Sequence, residues 1–200
     1  MTKMSVRQYA FLITLSVLLV VLVVMFFKWG DEKKLIPEPV TQMLDSEEIL
    51  GEEPETKKVS LFFLAEEDDL LHPEIREIKA DEVLILEAKL VIRELIKGSR
   101  NGGISPISVK TKLRELFITG EGIAFVDFSK EIQENQFFGS AGEIAAVFSI
   151  VNTLVYNFKP IKRVFILIEG REKETLGGHI ALKRPLLPRF DLAVNLPGSK

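Results

Sequence analysis

Leu113–Phe128, LRELFITGEGIAFVDF, is the stretch whose reading decides the fold. Two β-rich runs, Leu113 to Thr119 and Ile123 to Phe128, flank Gly120-Glu121-Gly122, whose glycines supply the positive φ that a tight hairpin turn demands. The second run stays apolar up to Asp127. Upstream, Lys58 to Leu64 (KVSLFFL) and Pro73 to Ile78 read as two further strands. Between these pairs Leu84, Ala88, Val91, Ile92, Leu95 and Ile96 recur at helical steps; Asp81 is placed to cap this helix and Gly98 to stop it.

Downstream, Ser140-Ala141-Gly142-Glu143 matches a capping box in which serine and glutamate satisfy each other's backbone donors. Ile144, Val147, Phe148, Val151, Leu154 and Val155 form the apolar stripe of the helix it would open, and Pro160 ends that helix by about Asn157. Arg163 to Ile168 (RVFILI) is the last strong strand, closed by Glu169-Gly170. The expected architecture is an α+β domain in the order ββαββαβ, one mixed or antiparallel sheet with both helices on one face. Past Gly170, the glycines and prolines break regular structure, and Ile180 to Leu187 is expected to run as one extended piece.

The amino-terminal third is of another kind. Ala10 to Phe27 carries no charge over eighteen residues, roughly 27 Å of helix and so close to the hydrocarbon thickness of a bilayer. The exit Phe26-Phe27-Lys28-Trp29 lacks the small residues of a cleavage site, so residues 1–34 are read as an uncleaved transmembrane signal anchor. Residues 35–56 hold seven acidic and no basic residues among several prolines, the composition of a self-repelling linker. Residues 57–200 form the globular domain, with twenty-one basic and twenty acidic residues and no basic block. Nucleic acid is therefore not an expected partner.

The composition excludes much chemistry. With no cysteine there is no disulfide, thiolate metal site or lipid-modified cysteine, and the two histidines, His72 and His179, stand in no ligand-spaced motif. Asp127, Ser129 and His179 have the residue types of a hydrolase triad, but Ser129 lacks the glycine-flanked turn of a nucleophile, and Asp and Ser at a strand exit commonly bond turn backbone. No catalytic, cofactor-binding or metal residue is assigned, and no cofactor is expected. Asn152 and Thr153 interrupt the second helix's apolar stripe and are expected to bond a neighbouring segment.

In order and spacing the domain resembles the GerMN family of bacterial sporulation and germination proteins. The matching pieces are Ala88 to Gly98 (AKLVIRELIKG), Gly122 to Ser129 (GIAFVDFS), Ile150 to Leu154 (IVNTL), Val164 to Gly170 (VFILIEG) and Glu174 to Ile180 (ETLGGHI). The resemblance marks Gly122, Val126, Asp127, Ser129, Asn152, Thr153, Leu154, Glu169, Gly170, Gly178 and His179 as motif residues of structural or interaction role. It implies an extracytoplasmic bacterial domain, which, with the span read at Ala10 to Phe27, gives a single-pass protein of the cytoplasmic membrane with its amino terminus inside. The implied role is a non-catalytic scaffold or interaction module of the cell envelope, tied to sporulation or germination, with an envelope protein or a second copy as partner. Binding of peptidoglycan or another ligand is the alternative, and hydrolysis the least favoured. The chain departs from GerM itself in having no cysteine to lipidate and one copy of the domain.

Overall fold

The computed structural model describes residues 18–25, 55–134 and 139–196. The chain divides into two compact units, Met1–Ile49 and Leu50–Lys200. In the first, residues 18–25 are helical with exposed side chains. The rest of the expected span Ala10 to Phe27, and nearly all of the acidic linker, lie outside the described residues. Among the described residues no helix is long and apolar enough to cross a membrane.

The second unit contains β1 (Thr56–Leu64), β2 (Leu71–Lys79), α1 (Leu84–Ile96), β3 (Leu113–Ile118), β4 (Ile123–Phe128), α2 (Ser140–Asn157), β5 (Arg163–Ile168) and β6 (Arg171–Glu172). Short 3-10 turns cover Lys130–Gln133 and Phe190–Leu192. The order through β5 is the expected ββαββαβ. The expected single sheet is not formed: β1 and β2 make a separate antiparallel pair, and β3-β4-β5-β6 make a four-stranded sheet. That larger sheet is mixed, because α2 carries the chain across from β4 to a parallel β5 while the other pairs are antiparallel.

Helix α2 gives the reason for the division. The β1 edge facing away from β2 would have to pair with a strand if the two sheets were continuous. Side chains at every fourth position of α2 take that place. Asn157 Oδ1 accepts from Ser60 N–H at 2.9 Å and its Nδ2 donates to Ser60 O at 2.7 Å. Thr153 Oγ1 accepts from Phe62 N–H at 3.2 Å, and Ser149 Oγ donates to Phe62 O at 2.6 Å. Leu64 completes the edge by exchanging bonds of 3.1 and 2.8 Å with the backbone of Ile104. Ser149 and Thr153 are fully buried, so these bonds discharge polar groups that could not be left unpaired inside the core.

Both helices pack on the four-stranded sheet, α1 against β3 and α2 against β5, while α2 also lies on β1. Ala124, Val126 and Phe128 of β4, with Val164, Ile166 and Ile168 of β5, alternate inward and meet Val147, Val151 and Leu154 of α2 in one core. The alternate residues Phe117, Phe125 and Phe165 stand side by side across three strands; Phe117 and Phe125 stack at 4.6 Å and Phe165 meets Phe125 edge-on at 5.3 Å.

The ends of α1 and α2 are built differently from the local patterns. Asp81 does not cap α1: Val83 holds the N-cap position without a side-chain bond, and Asp81 Oδ1 accepts from Val83 N–H at 2.8 Å one step earlier. At the other end Gly98 takes the expected left-handed conformation, φ +88°. There the buried Arg76 of β2 donates to Glu94 O at 2.8 Å and Gly98 O at 2.6 Å, setting a cation on the negative end of the helix. Glu74 neutralises Arg76 and accepts from Ser99 Oγ at 2.7 Å and Arg100 N–H at 3.0 Å. Ser140 and Glu143 do not form the expected capping box, since Gly139 is the N-cap and no side chain caps it.

Candidate functional site

The motif residues gather at two places in the second unit. One is the carboxyl end of the parallel pair β4 and β5. A register shift between Leu113 and Glu115 turns Arg114 toward this end, and Asp127 and Ser129 leave β4 beside it. Glu169-Gly170 links Ile168 to its cross-strand partner Arg171 in a two-residue turn with φ +54° and +72°. Positive φ at both positions is what a type I′ hairpin needs. Glycine meets it without cost, whereas Glu169 bears the strain of a side chain.

Side chains tie this end together. Asp127 Oδ1 accepts from Gly170 N–H at 2.7 Å, and Asp127 Oδ2 lies 3.2 Å from Arg114 Nε. Glu169 Oε1 accepts from Lys130 N–H at 2.9 Å, while its other oxygen pairs with Arg114. Ser129 Oγ accepts from Lys112 N–H at 2.9 Å, closing the mouth of the β3-β4 hairpin. The Ser129 hydroxyl also bonds Glu131 and holds that carboxyl below the usual glutamate value. Asp127 and Ser129 thus bond backbone, but of segments distant in sequence.

The second place is the chain after β6. Glu143, in the first turn of α2 and 6% exposed, accepts from Leu176 N–H at 3.0 Å, Ile180 N–H at 3.1 Å and His179 N–H at 2.7 Å. His179 Nδ1 adds a contact of 2.9 Å. Burial opposes ionisation of Glu143, yet the amides of Gly177, Ile180 and His179 and the imidazole together hold its carboxyl below the usual value. These converging donors explain why the local capping box fails: they compete for Glu143 with the one donor that a box would offer. Gly178, at φ +104°, makes the bend that lets the amides converge. Further on, Asn152 Nδ2 donates to Arg189 O and Oδ1 accepts from Arg189 N–H, both at 2.9 Å. Ile180 to Leu187 is not one extended piece: the chain bends at residues 183–184, between a bond from Leu182 N–H to Glu174 O at 2.8 Å and an isolated bridge of Leu186 to Val164.

Gly122, Val126, Thr153 and Leu154 sit in the scaffold between these places. Gly122 has φ +78°, and a Cβ there would fall 2.5 Å from Pro160 O. Val126 and Leu154 are fully buried. Asp127 and Ser129 therefore belong to one cluster and His179 to the other, each with its own partners. Among the described residues no group of three His, Asp or Glu side chains is placed to hold a metal ion.

Sequence reasoning passed over Arg114, Lys130, Arg171 and Lys173, which with Gln133, Ile168 and Glu169 line a groove at the first place. Asp127 and Ser129, read as strand-exit residues, and Glu169-Gly170, read as a strand end, were the pointers to it. Glu74 and Arg76 were likewise passed over within the strand read at Pro73 to Ile78.

Residues 60–174 match the Germane family model, described as sporulation and spore germination. The chain belongs to this family. Its fold is similar to the first GerMN domain of the sporulation protein GerM from Bacillus subtilis, with a TM-score of 0.51 at 21% identity over 68% of this chain and 99% of that one. The tandem GerMN domains of the same protein align with a TM-score of 0.55 at 22% identity, covering 68% of this chain and 48% of that structure. No curated protein sequence matches.

Proposed function

We propose that this chain is a non-catalytic interaction module of the bacterial cell envelope, carried outside the cytoplasmic membrane on an amino-terminal anchor, Ala10 to Phe27. The observation that carries the non-catalytic reading is how the polar motif residues are used. Asp127, Ser129, Asn152 and Thr153 all bond backbone groups of other segments, so they hold the fold together and are not offered to a substrate as acid, base or nucleophile. Membership of a sporulation and germination family supports an envelope role, and the eighteen uncharged residues of the span support the anchor.

Cross-linking in intact cells followed by mass spectrometry tests the reading. A reproducible partner, either an envelope protein or a second copy, is expected. Saturable binding to peptidoglycan with no protein captured would replace it with glycan recognition. For the anchor, the expected results are an intact amino terminus in purified membranes and cleavage of the domain by protease added to spheroplasts. A mature protein beginning near Asp31 would remove the anchor from the proposal.

A further inference from the structure

The groove at the carboxyl ends of β4 and β5 has a charge arrangement that its structural role does not require. Four cations line it, Arg114, Lys130, Arg171 and Lys173, with Glu169 the single acid in its wall. Asp127, just beneath, and Glu169 are both spoken for. Each gives one oxygen to a backbone N–H, of Gly170 and Lys130 respectively, and the other to Arg114. Arg114 is thereby oriented and neutralised from two sides. Lys130, Arg171 and Lys173 are exposed and have no ion pair with any carboxylate among the described residues. Three cations without an ion pair converge from two segments on one concavity, in a domain whose basic and acidic residues otherwise nearly balance.

We propose that this groove binds a phosphate group, with Lys130, Arg171 and Lys173 supplying the charge and Arg114, fixed by Asp127 and Glu169, shaping the wall. A phosphate group offers several anionic acceptor oxygens, with a single negative charge as a diester and up to about two as a free or terminal group, so several donors can engage it at once. The phosphate can come from free solution, from a phosphodiester polymer or from a lipid headgroup, which share anionic phosphoryl oxygens and differ in charge. The proposal stands on the groove alone and does not depend on the interaction role.

The test uses the isotopically labelled full chain in a neutral detergent at low ionic strength, titrated in parallel with inorganic phosphate, a soluble glycerol-phosphodiester polymer and phosphatidylglycerol micelles. Saturable shifts of the Lys130, Gly170 and Arg171 amides with at least one probe are expected, and the probe that binds tightest identifies the source. The triple substitution Lys130→Gln, Arg171→Gln, Lys173→Gln should weaken that binding at least tenfold without altering the melting temperature. Substituting Lys58, Lys110 and Lys159 by Gln, outside the groove, should leave it within twofold. No saturable shift with any probe, or equal weakening by the two triple variants, overturns the proposal. Absence of a cross-linked partner would count against the interaction role and leave this result untouched.

Discussion

Asn152 and Arg189 bond each other as two residues of neighbouring strands do, the Asn152 side-chain amide standing in for a backbone peptide with two bonds of 2.9 Å. Asn152 is fully buried, so substitution by Leu leaves the Arg189 peptide without either bond. Asn152→Leu should cost about 1–3 kcal/mol. Urea denaturation measures the loss, and hydrogen exchange should rise at the Arg189 amide ahead of the core.

Glu143 is the corresponding tie for residues 176–180. Its carboxyl lies below the usual glutamate value in the folded state, so the stabilisation it gives is fully present above that usual value and is lost as pH falls through the depressed one. Glu143→Gln should therefore lower stability near neutral pH by roughly 1–3 kcal/mol. Below about pH 4.5 the native protein should lose stability more steeply than the variant, and the two curves should converge. Denaturant midpoints measured from neutral to acid pH check both the offset and the convergence.

Gly122→Ala combines a strained φ with a collision, since the added Cβ would meet the Pro160 carbonyl at 2.5 Å. The loss should exceed the roughly 1 kcal/mol that a left-handed conformation alone costs a side chain. Thermal unfolding compared with Gly120→Ala, where a Cβ meets nothing within 4 Å, separates the clash from a general glycine effect.

Leu154 is fully buried in the core. Leu154→Ala should cost about 2–5 kcal/mol through lost contact and a residual cavity. An unchanged melting temperature would mean that this face of α2 is not core.

What could be read from the chain was what neighbours in sequence determine. Gly120-Glu121-Gly122 announced its hairpin, Gly98 its helix stop, and RVFILI its buried strand, because turn chemistry and periodicity act over a few residues. The division into two sheets depends on Ser149, Thr153 and Asn157 reaching β1 across 87 to 97 residues, which no local pattern encodes. Glu143 misled for the same reason. Its spacing from Ser140 fits a capping box, but donors more than thirty residues away claim it. At the groove, Asp127 and Ser129 were legible as strand-exit residues. The cations around them were not, because only the β3 register shift and the Glu169-Gly170 turn bring those charges together.

The helix side chains that complete the β1 edge also bear on how this protein behaves in company. A bare strand edge is a template on which another chain can crystallise its own backbone, the first step toward runaway stacking. From Ser60 to Leu64 that template has been erased, since a foreign strand would have to displace six hydrogen bonds before making any of its own. Copies can therefore be crowded together without this hairpin seeding a fibril from that side.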